Sequence, residues 1–164
     1  MGPLIVDSNF FIQAHRDTYP LDVATSFWAK ISELASNHRI MSIDKVKAEL
    51  NRNKDALTVW CDENLPAGFF APSASVIGHY AQVINITHLR QPPYNQRALD
   101  TFFDADEADA WLIAHALSGG NTIVTHETRQ PAKIARVKIP DICAPLGIKA
   151  ITTIEMFREL GERF

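Results

Sequence analysis

The chain has 164 residues, 46% of them hydrophobic and 21% charged, a balance that fits one globular domain and excludes a low-complexity or disordered chain. A formal net charge of −3 gives no bulk attraction for nucleic acid, so a nucleic-acid substrate would have to meet the carboxylates through metal ions. Cys61 and Cys143 lie far apart, outside any CxxC or Cys/His pattern, which favours buried free thiols over zinc ligands or a disulfide and a reducing, cytoplasmic compartment. No run is long enough to span a membrane, and the opening Met1-Gly-Pro-Leu does not read as a signal peptide.

Leu4-Ile-Val is a short apolar run with two β-branched residues, stopped by Asp7-Ser8-Asn9, and predicts a buried strand that delivers a polar turn. A short helix is expected from Asn9 to about Arg16. Pro20 and Asp22 then open a longer amphipathic helix with Val23, Phe27, Ile31 and Leu34 on its inner face, closed at Asn37-His38. Ile40 to Ile43 predicts a second strand. Asp44 is placed to cap a helix that turns Val46 and Leu50 inward with Glu49 beside them.

Helical signals continue from Asp55 to Asn64 and break at Pro66-Ala-Gly68. Ser73 to about Ile86 predicts another helix, with Val76, Tyr80, Val83 and Ile84 at helical spacing, before Pro92-Pro93 interrupts. From Phe102 the pattern is acidic turn, helix, Gly-Gly stop and strand: Asp104 or Asp106 as cap, Gly119-Gly120 as left-handed exit, Thr122 to Thr125 as strand. Ile148 to Thr152 and Thr153 to Arg163 repeat strand and helix. Short strands alternating with helices predict an α/β fold, a central parallel sheet flanked by helices on both faces, in one domain spanning 1–164.

In such sheets functional groups gather beyond the carboxyl ends of the strands. Asp7 follows the first strand and Thr125-His-Glu127 follows a later one; Asp109 lies in the first turn of the helix before it, and Glu49 on the helix after strand two. Carboxylates sharing a cleft without lysines between them repel, which implies a hard divalent cation with oxygen ligands. Taken singly, each has a plain structural role open to it: Asp7 as a helix cap, Glu49 as a solvated helix residue, Asp106 as an acid at a helix start. His115 and His126 lack a metal-binding partner spacing and read as polar packing or substrate contacts, while Trp28, Trp60 and Trp111 read as core.

The ordered set resembles the PIN-domain nucleases. It comprises Ile5-Val-Asp7-Ser-Asn9, then Ser42 to Leu50 with Glu49, then Ala108-Asp109-Ala-Trp-Leu-Ile-Ala, then Ile123-Val-Thr-His-Glu127. With Lys138-Ile-Pro-Asp141 added, it is most similar to small bacterial PIN-like proteins related to the VapC-type toxins, over Leu4 to about Glu155. The resemblance implies a PIN-like α/β/α sandwich and hydrolysis of RNA phosphodiester bonds with Mg²⁺ or Mn²⁺ held by Asp7, Asp109 and Asp141. It also implies Glu49 as a proton acceptor or holder of water, and Asn9 and Thr125 as residues that steady the carboxylates. Where the common pattern has an aspartate two residues after the strand-four threonine, this chain has Glu127, and Asp141 follows a basic insert. Either can be the fourth acid; Asp141 is the one expected on the metal, with Glu127 beside it or orienting water. In that insert Arg129, Lys133 and Lys138 suit phosphate contacts, as does Arg136. The partners implied are an RNA substrate and an antitoxin protein, with the chain as toxin; a homodimer is allowed and a membrane is not involved. Two rivals are a PIN-fold module that binds without catalysis and a haloacid-dehalogenase-like phosphatase, although Asn9 stands where the latter needs a second aspartate.

Overall fold

The computed structural model describes residues 2–164. Five strands form one parallel sheet in the order β3-β2-β1-β4-β5, flanked by helices: an α/β architecture consistent with a PIN-like sandwich. The central strand β1 (Leu4–Val6) is fully buried because all three residues are apolar and both neighbours are parallel strands. It pairs with β2 (Ile40–Ile43) through Leu4 with Ile40, and with β4 (Ile123–Val124) through Val6 with Val124. The edges are β3 (Phe70–Ala71) and β5 (Ala150–Ile151). Among the described residues no helix is long and apolar enough to cross a membrane.

Asp7 caps α1 (Ser8–Gln13), which runs on as a wider π turn through Thr18, so the helical stretch starts one residue earlier and ends later than the sequence predicts. The next helix, α2 (Thr25–Ser36), begins later than expected. Phe27, Ile31 and Leu34 turn inward as predicted, but Val23 lies before the helix and is 75% exposed; the turn after Pro20 takes its backbone out of the helical frame. Asp44 does not cap α3 (Asp44–Arg52). Strand β2 runs straight into the helix at Ile43, and the Asp44 carboxylate accepts a hydrogen bond from the Ser73 N–H instead.

Asp55 caps α4 (Ala56–Asn64), the helix expected from Asp55 to Asn64. The stretch from Ser73 opens as a 3₁₀ turn before α5 (Ile77–His88). Three elements carry too little periodicity to be read in advance: β3, α6 (Gln96–Phe102), capped by Asn95, and the five-residue α8 (Ile139–Cys143). Neither Asp104 nor Asp106 caps α7 (Asp109–Gly119); Asp104 accepts from the Asp106 N–H and closes a turn before it. Gly120, at φ +67°, makes the left-handed exit. Thr152 and Glu155 form a reciprocal capping box on α9 (Thr153–Leu160).

The core is one cluster in which Ile5, Phe10, Phe11, Phe27, Leu112 and Ile113 are almost wholly buried, with Trp28 inside and Trp60 and Trp111 packed against it. Cys61 and Cys143 are free and buried, and burial pushes both thiols up to about 12. Leu112 has no solvent exposure and anchors α7, whose first residue is Asp109. Leu112→Ala is expected to lower stability by roughly 2–5 kcal/mol in urea unfolding. Truncating the exposed Val59 should change it by less than about 0.5 kcal/mol.

Candidate active site

The carboxyl ends of β1 and β4 lie side by side, and the residue that follows each strand is polar and buried. One Asp7 oxygen accepts from the Phe10 N–H at 2.7 Å, which is the helix cap; the other accepts from the Thr125 hydroxyl at 2.7 Å, across the sheet. Thr125 in turn accepts from the Glu127 N–H at 3.1 Å, so one hydroxyl sets both the first carboxylate and the backbone of the last. The structural and functional readings of Asp7 therefore use the same atoms, since each carboxylate oxygen keeps a second acceptor direction.

Glu49 reaches the same place from α3. Its carboxylate accepts from the Ser8 hydroxyl at 2.6 Å and from the Ala108 N–H at 2.9 Å, which fixes it against the start of α7. The second residue steadying a carboxylate is thus Ser8 and not the predicted Asn9. The signal was present in the Asp-Ser-Asn triplet, but only the direction of α1 decides which of the two faces α3. Asp109 stands in the first turn of α7, and no hydrogen bond offsets its burial. Glu127 accepts from the Ile139 N–H at 2.7 Å, and Arg136 lies 3.5 Å from its other oxygen.

The charges of these four acids act on one another. The Asp7 carboxyl is lifted from an ordinary 3.8 to about 7, first by burial and then by Glu127 and Glu49, against the bonds from Thr125 and Phe10 that favour its ionised form. Asp109 is raised well above the usual carboxylate range by burial and then by Glu127, Asp7 and Glu49, with Arg136 the opposing charge. Glu107, also raised by burial, adjoins Glu49 and Arg52.

Asp141 is the expectation that the geometry does not support. Both its oxygens accept from the Gln130 N–H, at 3.2 and 3.0 Å, and Arg129 pairs with it at 3.6 Å. It is not among the charges that raise Asp7 or Asp109. The reason is that the insert folds back so that α8 offers its first N–H to Glu127 while turning Asp141 toward the loop. Glu127, which the sequence reading put beside the metal, is the fourth acid that joins the group.

Of the basic residues, Arg129 is tied to Asp141, Lys133 is exposed and Lys138 half-buried in the same loop, and it is Arg136 that reaches the acids. His115 meets the Pro72 carbonyl and His126 the Thr153 hydroxyl, both as polar packing. Among the described residues no group of three or more His, Cys, Asp or Glu side chains is placed to hold a metal ion. The side chains of Asp7, Glu49, Asp109 and Glu127 offer only hard carboxylate oxygen, with one guanidinium nearby, a chemistry that suits Mg²⁺ or Mn²⁺ better than a soft metal.

A carboxyl raised on folding stabilises the fold while it is protonated and loses that contribution as pH rises through its folded value. For Asp7 the gap between 3.8 and about 7 amounts to roughly 4 kcal/mol at high pH. The melting temperature of chelator-treated protein is therefore expected to fall between about pH 4 and about pH 7 and to level off above that. Asp7→Asn, which keeps the cap and the Thr125 contact, should flatten that fall and melt higher than wild type at the alkaline end. Equal slopes for the two proteins would show that Asp7 carries no such burden.

Residues 4–164 match the family model described as a domain of unknown function, DUF4411. No curated protein and no solved structure matches the chain. With the match running through every strand and every acid of the site, the chain belongs to the DUF4411 family.

Proposed function

We propose that the protein is a metal-dependent, PIN-like nuclease that hydrolyses RNA phosphodiester bonds. The observation that carries this reading is the placing of Asp109: a half-buried carboxyl with no hydrogen bond, set beside Glu127, Asp7 and Glu49 and opposed by one arginine. Such a group either holds a proton or faces a cation. Asp7, Asp109 and Glu127 are the ligands proposed for Mg²⁺ or Mn²⁺, which when bound supplies positive charge for the phosphate and acidifies water.

The chain's own residues do the rest. Thr125 and the Phe10 N–H hold Asp7 in one orientation, and Ser8 with the Ala108 N–H holds Glu49. Glu49 takes the proton of the attacking water on a free lone pair. Water oxygen adds to phosphorus, the bridging P–O bond breaks, the leaving oxygen takes a proton from solvent water, and Glu49 returns its own proton to solvent, so that one water is consumed per bond. Arg136, beside Glu127 and Asp109, meets a non-bridging phosphate oxygen. The toxin role, with an antitoxin partner and a cytoplasmic site of action, is proposed from the resemblance to small bacterial PIN-like proteins and is the more distant step.

Labelled single-stranded RNA incubated with the purified chain and Mn²⁺ tests the chemistry. Asp109→Asn and Glu127→Gln are expected to cut at least about 100-fold more slowly, and Asp141→Asn to stay within a few-fold of wild type. RNA left intact by wild type would sink the nuclease reading. Asp141→Asn as inactive as Asp109→Asn would return the fourth-acid role to Asp141. Expression that arrests bacterial growth, with Asp109→Asn harmless, is the outcome expected of a toxin; unimpaired growth counts against it.

A further inference from the structure

A cavity of about 240 Å³ opens directly beside Asp109, between α6 and the segment around residues 135–137. Its two walls are pinned together: the Asn95 N–H donates to the Ile134 carbonyl at 3.0 Å, while the Asn95 side chain caps α6 through the Ala98 N–H at 2.9 Å. The floor is apolar, made by Ala98, Phe102 and Val137, all at about 4% exposure. The exposed Arg97 and Arg136 line its rim, and Asp109 and Glu107 make an acidic wall.

This combination is selective. An apolar floor in a cavity below the roughly 300–1,000 Å³ of drug-sized sites takes one flat ring, not a peptide helix or an extended lipid chain. Guanidinium groups stack on such rings and pair with phosphate in the same pose, which ammonium groups do not. The acidic wall disfavours a free anion and accepts one whose charge is shared with a cation.

We propose that this cavity is a nucleotide subsite: it holds the base next to the cleaved bond on Ala98, Phe102 and Val137, with Arg97 and Arg136 on the sugar–phosphate side. The proposal rests on the nuclease reading of the adjoining acids for its role, but its binding chemistry can be measured alone. It makes the chain selective for single-stranded nucleic acid, because a base must leave its stack to enter.

The test is calorimetric titration of the full chain in Mg²⁺ buffer with adenosine 5′-monophosphate, uridine 5′-monophosphate and ribose 5-phosphate, none of which contains a bond the proposed reaction would break. The nucleotides are expected to bind on the order of tenfold more tightly than ribose 5-phosphate. Ala135→Trp, in the exposed loop at the cavity edge, fills the space without changing charge and should erase that preference. Arg97→Glu should weaken all three ligands. Equal binding of nucleotide and ribose 5-phosphate by wild type, or a preference untouched by Ala135→Trp, overturns the subsite. RNA cleavage followed in parallel separates the two ideas: base-dependent binding without cleavage supports the subsite and removes the nuclease reading, whereas cleavage without base-dependent binding does the reverse.

Discussion

Two hydrogen bonds of 2.7 Å to one carboxylate tie the site to the fold. Asp7 ends the central strand, so its backbone is set by a strand paired on both sides. Its side chain then takes one of α1's unsatisfied donors, the Phe10 N–H, on one oxygen and meets Thr125, just beyond the neighbouring strand, on the other. A charge-assisted bond of this kind is stronger than a neutral one, and it is bought at the cost of desolvating the acid. The carboxyl sits at about 7 because desolvation outweighs both donors.

The same tension runs through the group. Glu49 and Glu127 are each fixed by a backbone N–H at the start of a helix, α7 and α8 respectively, so their positions are set by local folding rather than by a ligand. Asp109 has no such anchor and bears the combined field of the others. Three acids held by hydrogen bonds beside a fourth that has none make an arrangement whose charge is balanced only by protons, by Arg136 or by a cation. Stability is given up where the chemistry is proposed to occur, and the wholly buried apolar cluster beneath the sheet offsets it.

The basic insert between β4 and α8 divides its charges between two faces. Arg129 is neutralised by Asp141, and Arg136 faces the acids and the cavity. Residues seven apart in one irregular loop thus end in different surroundings. No periodicity relates them, which is why Asp141 looked equivalent to Glu127 along the chain. The choice between them was made by α8, whose first N–H captures Glu127.

Apolar runs and their punctuation were enough to place β1, β2, α4 and α9, because a buried apolar run and the polar, proline or glycine residues that end it are local in their physics. Asp7, Glu49, Asp109 and Thr125 were legible for a related reason: each sits at a strand end or helix start, and parallel topology sends such positions to one crevice. Other features depend on contacts between segments distant in sequence: the two-residue β3, the short α6 and α8, Ser8 in place of Asn9 against Glu49, and the cavity between α6 and the loop. Elements that short have no periodicity to read and exist because their neighbours supply the missing half of each hydrogen bond and apolar contact. Sequence by itself determined which acids stand at the carboxyl ends of the strands; tertiary structure alone decided that Glu127 joins them and Asp141 turns away, because that depends on which donor each carboxylate meets.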